Sequence, residues 1–157
     1  MALTMNVTVK ADMRKLSEIR RKLIKAAEQA IQVGFFDGVP HPNAPGRTIA
    51  EIAAINEFGL PSQNIPERPF MLASIRDTSA PSFIAAGFKK MINGTGSVAS
   101  MRSNTAKRMR DEMKITIIEF SEPGNAPFTI AKKGFDNPLT ETGTLAQSVK
   151  FKIGRRR

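Results

Sequence analysis

The 157-residue chain contains no cysteine, no tryptophan, no tyrosine and a single histidine. The lack of cysteine excludes disulfides, thiolate metal ligands and cysteine nucleophiles. The ten phenylalanines are scattered rather than set between basic residues, which disfavours a stacking platform for single-stranded nucleic acid. No stretch approaches about 18 consecutive apolar residues, so the sequence predicts no membrane span. The N-terminal segment has no apolar core followed by a small-residue cleavage site, so it predicts no signal peptide.

Few residues offer catalytic chemistry. His41 lies between two prolines and has no second histidine or cysteine with which to share a zinc ion, so we interpret it as an exposed loop residue. No Gly-x-Ser-x-Gly nucleophile motif is present. The segment NGTGS (residues 93–97) lacks the Lys-Ser or Lys-Thr that completes a Walker A loop, so it is interpreted as a hinge between two helices. We therefore predict a protein that is not an enzyme, with no cofactor and no metal.

The net charge of +10 is the one extreme feature of the composition. Such a charge favours nucleic acid, acidic protein surfaces or anionic lipid, and does not choose among them. The basic residues form three groups, on a first helix, on a later helix that includes Arg102, and at the C-terminus. Solvated faces and a docking role are both open interpretations. The candidates for contact with nucleic acid or an acidic partner are Lys107, Arg108 and Arg110. The candidates for contact with another subunit or partner at the C-terminal end are Arg155, Arg156 and Arg157.

Residues 48–70 combine a helix, a stop signal and a segment stiffened by proline. Thr48 and Glu51 have the spacing of a capping box, the reciprocal pair that begins a helix. Gly59 stands where a left-handed C-terminal cap is expected, and Pro61 prevents the helix from resuming. The prolines of IPERPF (residues 65–70) push the residues before them towards extended conformations. We therefore predict an extended, non-helical arm over residues 60–70.

Four residues of this segment are candidates for contacts between subunits or with another partner. Glu57 and Glu67 do not form a convincing catalytic pair, because Gly59 and the prolines separate them, and their plain interpretation is as surface charges. Arg68 is the preferred contact residue, because a guanidinium can bind bidentately where lysine cannot. Phe70 is either a core anchor, which we favour, or an apolar plug into a neighbouring subunit.

The whole chain predicts a single α+β domain over residues 1–153, with an exposed loop at 37–47, the arm at 60–70 and a basic tail at 154–157. We expect a mainly antiparallel sheet of N-terminal, middle and C-terminal strands packed with one or more long helices. Apolar alternation predicts strands at 5–9, 31–36, 128–131 and 147–153. Helical spacing predicts helices at 12–30, 70–77, from Pro81 towards Asn93, and 97–120, with a switch to strand at 115–118 as an alternative. Thr142 or Thr144 is expected to cap a short helix.

The order of several motifs resembles a known family. An apolar strand ending in Gly-Phe-Phe is followed by AEIAAINEFG, then IPERPF, and near the C-terminus by KKGFDNPLTETGTLAQSVKFKI. Over residues 33–70 and 131–153 the chain resembles tailed-phage head–tail connector, neck and tail-completion proteins, which are similar to the lambdoid minor tail protein Z.

The resemblance implies a structural virion protein, made in the host cytoplasm and located at the head–tail junction or tail end. It implies a homo-oligomeric ring, for which a hexamer is preferred and a dodecamer is the alternative. The expected neighbours are portal, adaptor, tail-terminator or tail-tube proteins, with non-specific contact to packaged DNA as a further expectation and no membrane contact. The alternative function is a basic DNA-binding protein that contacts DNA in or near the connector channel.

Overall fold

The structure is a computed structural model that describes residues 12–36, 38–140 and 142–155. Over these residues the fold is α+β, with seven α-helices and one two-stranded antiparallel sheet. The predicted strand at 5–9, together with Asp37, Arg156 and Arg157, lies outside the described residues. In chain order the elements are α1 (Met13–Ala27), β1 (Gln29–Gly34), α2 (Ile49–Phe58), a 3₁₀ turn (Pro61–Gln63), α3 (Phe70–Arg76), α4 (Ala80–Ile92), α5 (Val98–Glu119), α6 (Pro127–Lys133), α7 (Thr144–Ser148) and β2 (Lys150–Arg155).

The predicted sheet of N-terminal, middle and C-terminal strands is present only in part among the described residues, because helices dominate and only β1 and β2 pair, in antiparallel order. The predicted middle strand at 128–131 lies instead inside helix α6. Pro127 occupies the first turn of this helix, where its fixed φ is favourable, and Gly134 ends it with φ 81° and ψ 0°. These two signals outweigh the short apolar run between them.

The predicted helices are present, and their ends follow local capping chemistry. Asp12 begins α1 by accepting hydrogen bonds from the Arg14 and Lys15 amides. The capping box of Thr48 and Glu51 is formed at the start of α2. The long helix α5 continues to Glu119 with no switch to strand. The expected threonine cap of α7 is wrong, since Gly143, with φ 73°, holds the N-cap position.

Helix α5 is the centre of the packing. It contacts both strands, as well as α3, α4 and α7. Its Met113 and Ile117 face the main core, in which Ile117 and Phe70 have no exposed surface. The other buried members of this core come from α2, α7 and the segments beside α7, namely Ile49, Ala53, Leu139, Leu145, Ala146 and Val149. The core therefore joins the middle of the chain to its C-terminal part across α5.

Candidate interaction surfaces

The predicted arm folds back onto helix α2 of its own protomer. Leu60 and Ile65 form an isolated antiparallel bridge directly after the helix. Gly59 makes this return possible with φ 70° and ψ 174°, a positive φ as expected but not the left-handed helical cap. A Cβ at this position would lie 2.9 Å from the Ile65 carbonyl oxygen, so only glycine fits the close approach.

Arg68 is buried and uses its guanidinium to tie the arm to a distant loop. Its Nε and Nη2 donate to the carbonyl oxygens of Pro123 and Gly124, each at 3.2 Å, and Nη1 donates to Asn56 Oδ1 at 3.4 Å. Burial lowers the pKa of Arg68 from its usual value, while the charge of Asp136 acts in the opposite direction. An arginine remains protonated at neutral pH, so a buried cation is held here chiefly by carbonyl oxygens.

Glu57 caps a helix from outside that helix. Its carboxylate accepts hydrogen bonds from the Met71 amide at 2.8 Å and the Leu72 amide at 3.1 Å, in the first turn of α3. The N-cap position of α3 is held by Pro69, whose side chain makes no capping hydrogen bond. Glu57, which is buried at the end of α2, supplies the missing acceptor and places its negative charge at a helix N-terminus.

Phe70 packs edge-to-face against Phe35, with ring centroids 6.1 Å apart, and is 0% exposed. Phe70 therefore lies in the core of its own protomer, as the favoured of its two interpretations predicts. Of the four candidate contact residues in this segment, only Glu67 presents its side chain to solvent. Contacts of Glu57, Arg68 and Phe70 with another subunit stay a prediction, while all of their contacts described above lie inside the protomer.

The basic residues of α5 differ in how far they are already paired. Arg108 donates to Glu112 at 2.8 Å and lies over the Phe83 ring, and Arg110 pairs with Asp111 at 2.7 Å. Lys107 is exposed and has no hydrogen bond or ion pair with any other described residue. At the end of β2, Arg155 is also exposed. The predicted contact cluster of α5 thus offers one unpaired charge rather than three.

Glu112 fixes the junction of α3 and α4 to α5. Its carboxylate accepts hydrogen bonds from the hydroxyls of Thr78 and Ser79, from the Ser79 amide and from the guanidinium of Arg108. Burial acts to raise the pKa of Glu112, but the hydrogen bonds from Ser79, Thr78 and Arg108 outweigh it, so the pKa lies below its usual value of about 4.5. This carboxylate is therefore ionised at neutral pH and serves the fold.

Helix α1 presents an apolar stripe that residues 28–36, 38–140 and 142–155 leave exposed. None of its residues is buried, and Met13 and Leu16 are 68% and 55% exposed. Its opposite face is strongly basic, with six Lys or Arg residues and one acidic residue in the helix. The sequence identified the amphipathic pattern, but a stripe of this kind predicts only that something covers it.

Between α1, α4 and α5 runs a groove of about 610 Å³, which we call the α1–α4–α5 groove. Its lining is almost entirely apolar and includes Leu23, Ile84, Phe88 and Met109. Arg102 also lines it, and the Nε and Nη1 atoms of Arg102 are buried without a hydrogen-bond partner among the described residues. The sequence placed Arg102 in a basic group but gave no sign that its guanidinium lies in an apolar surrounding.

His41 lies in a loop closed by a bridge between Pro40 and Thr48, and its Nδ1 accepts a hydrogen bond from the Asn43 amide. Within residues 12–36, 38–140 and 142–155, no group of acidic, histidine or cysteine side chains has the arrangement of a metal site. None of the helices described here has both the length and the apolar character needed to cross a membrane.

Comparison of the chain with protein-family models, curated proteins and solved structures gave no match.

Proposed function

We propose that this protein is a structural subunit of a tailed-phage neck or tail end, which assembles into a ring that joins or completes the head–tail connection. The observation that carries the proposal is helix α1, whose apolar stripe is left uncovered by the other described residues of the protomer. A ring subunit acts by presenting complementary surfaces to its neighbours and requires no active site.

An uncovered amphipathic helix is unfavourable for an isolated monomer. A helix of about 12–15 residues is only marginally stable by itself in water, and in proteins its stability comes mostly from packing of the apolar face. Large contiguous apolar surfaces on soluble proteins commonly mark interaction sites. The exposure of Met13, Leu16 and Ile24 therefore supports a protein that completes its packing with a partner.

The position of the family-like motifs also supports the proposal. The two stretches that carry the resemblance, residues 33–70 and 131–153, are far apart in the chain but meet in one core. Phe70 and Ala53 from the first stretch share it with Leu139, Leu145 and Val149 from the second. Motifs that pack together form a folding unit, which is the expected basis of a family pattern.

The proposal is tested on virions and on purified protein. We expect mass spectrometry to detect the chain in mature phage particles, and electron microscopy to locate it as a ring at the neck or tail end. The purified protein, or the protein assembled on tails, is expected to form a closed ring, with six copies of the 17.2-kDa chain preferred. Absence from mature particles would contradict a structural role and favour a transient assembly factor.

The alternative, a protein that binds DNA, is favoured by the net charge of +10 and by exposed Lys107 and Arg155. Phosphate contacts predict that the logarithm of the binding constant falls with the logarithm of salt concentration, with a slope of about −0.9 per contact. We expect a shallow slope, because Arg108 and Arg110 are paired inside the protomer. A steep slope that decreases in Lys107→Ala would favour the DNA-binding alternative.

A further inference from the structure

The unpaired donors of Arg102 are the strongest unexplained feature of the described residues. A buried guanidinium normally has acceptors for its N–H groups, because unpaired polar groups are costly in a low-dielectric surrounding. Among the residues that the structure describes, Nε and Nη1 of Arg102 have no acceptor, and the groove around them is lined by Leu23, Ile84, Phe88 and other apolar residues. A complementary occupant would present apolar side chains together with one carboxylate.

The far end of α5 presents this combination. Ile115 and Ile118 are exposed there, and Glu119 beside them is also exposed and has no ion pair among the described residues. We call these three residues the α5 end patch. Glu119 lies in the last turn of α5, where the helix dipole disfavours a negative charge, so an arriving guanidinium would be doubly favourable.

The groove and the α5 end patch lie at different places on the same molecule. Arg102 and Ile118 are sixteen positions apart along α5. This separation corresponds to about 24 Å along the axis and about 160° around it. Two different complementary patches on opposite sides of a subunit produce a heterologous contact. Such contacts form a closed ring when the rotation that relates neighbouring subunits returns to the first subunit after a whole number of copies.

We infer that the α1–α4–α5 groove of one protomer receives the α5 end patch of a second copy of this chain, with Glu119 of that copy paired to Arg102. The inference rests on the proposed ring function and specifies the contact that builds the ring. Apolar burial in the groove supplies attraction, while the charge pair fixes the register of neighbouring subunits.

A charge-swap experiment on the full chain tests the pairing. Glu119→Arg is expected to weaken self-association at least tenfold, because two cations would then meet in the groove. Arg102→Glu is expected to have a similar effect, and the double variant to recover most of the wild-type affinity. Sedimentation velocity measures the association, and circular dichroism verifies the fold. Since Glu119 is exposed, Glu119→Arg remains informative even if Arg102→Glu fails to fold.

A matched pair of variants tests the apolar part of the contact. Ile118 and Leu72 are 54% and 52% exposed, so a lysine at either position leaves the protomer core intact. Ile118→Lys is expected to weaken self-association at least tenfold, whereas Leu72→Lys on α3 is expected to leave it within about twofold. Equal effects of the two substitutions would overturn the inference.

Other results separate this inference from the proposed function. If rings form but Glu119→Arg and Ile118→Lys leave them unchanged, the inference is overturned and the ring proposal stands. If Arg102→Glu removes binding of a different protein or of DNA without affecting self-association, the groove has another occupant and the inference is again overturned. A wild-type protein that remains monomeric up to about 100 μM also overturns it, whereas detection of the chain in virion rings tests the proposed function independently.

Discussion

The arm region, residues 57–72, and helix α1 differ in how completely one protomer satisfies their side chains. In the arm region Glu57, Arg68 and Phe70 are all buried, and each has its partners within the same chain. In α1 no residue is buried, although its apolar residues recur with clear helical spacing. The difference separates a region whose key side chains are satisfied inside the protomer from a helix whose apolar residues stay exposed among the described residues.

The physical basis of the difference is local constraint. Prolines at 61, 66 and 69 restrict the arm before folding, so fixing it costs less conformational entropy than fixing an ordinary loop. Helix α1 has an Asp12 cap and one exposed Glu18–Lys22 pair. Exposed pairs of this kind contribute about 0.3–0.5 kcal/mol, which is small beside the burial of an apolar stripe. The comparison predicts large effects of substitutions in the arm and small ones in α1.

The largest decrease in the free energy of unfolding is expected for Phe70→Ala. Removing a fully buried phenylalanine deletes its apolar contacts and leaves a cavity, so the free energy of unfolding should fall by about 3–5 kcal/mol. Urea denaturation measures the loss. The matched control is Phe128→Ala, because Phe128 is 81% exposed and should change stability by less than about 0.5 kcal/mol. A loss below about 1 kcal/mol for Phe70→Ala would contradict the position of the arm.

A smaller loss of stability is expected for Arg68→Met, because methionine keeps most of the aliphatic side chain but removes the N–H donors of the guanidinium. The carbonyl oxygens of Pro123 and Gly124 would lose their charged partner, at a cost of about 2–3 kcal/mol in the free energy of unfolding. Arg76→Met, at an exposed position of α3, is the control and should be nearly neutral. Equal stabilities of the two variants would show that Arg68 is not held by this loop.

Several local backbone features of the arm region could be predicted from the sequence, but the distant hydrogen-bond partners of its side chains could not. The capping box at Thr48 and the positive φ of Gly59 follow from a few neighbouring residues, whereas the 3₁₀ turn at Pro61–Gln63 departs from the extended arm predicted over residues 60–70. The carbonyl partners of Arg68 lie about 55 residues away in the chain, so no local pattern indicates them. The interpretation of Glu57 as a surface charge is wrong, because its carboxylate is buried against the start of α3, and nothing in the sequence shows that α3 begins beside it with a proline at its cap.

The same limit explains the wrong strand prediction at 128–131 and why no pattern in the sequence predicted the α1–α4–α5 groove. The run at 128–131 is apolar enough for a strand, but Pro127 and Gly134 set helix boundaries around it. Arg102 was recognised only as one member of a basic group. Its apolar surrounding is created by α1 and α4, whose approach to α5 depends on tertiary packing such as the close contact of Gly87 with Met101. Burial of a charge is a property of the fold and has no local signature.

The third prediction concerns the pH dependence of the stability that Glu112 contributes through its hydrogen bonds within the protomer. The folded pKa of Glu112 lies below its usual value of about 4.5, so the unfolded chain binds a proton more readily. Its contribution to stability is therefore present above the unfolded pKa and is lost as pH falls through the folded pKa. Glu112→Gln should lower the free energy of unfolding by about 1–2 kcal/mol at pH 7, and the difference from wild type should shrink below about pH 4.5.

Thermal unfolding between pH 3 and pH 7 measures this difference. Glu122→Gln is the control, since Glu122 is exposed, lies outside the α5 end patch and has no side-chain hydrogen bond or ion pair with another described residue. Its replacement should change the free energy of unfolding by less than about 0.5 kcal/mol. A difference for Glu112→Gln that persists unchanged in acid would mean that the lost stability comes from packing of the side chain and not from its charge.

The smallest effect on the protomer is expected for Leu16→Gln in α1. Glutamine has nearly the helix propensity of leucine, and Leu16 is 55% exposed, so the free energy of unfolding of the monomer should change by less than about 0.5 kcal/mol. Self-association should nevertheless weaken, because the stripe loses apolar area. Urea denaturation at low concentration and sedimentation at high concentration separate the two effects, with Ser17→Gln as the control on the neighbouring position. A loss above about 1 kcal/mol in the monomer would show that α1 is packed by its own chain, and the contrast with the arm region would then disappear.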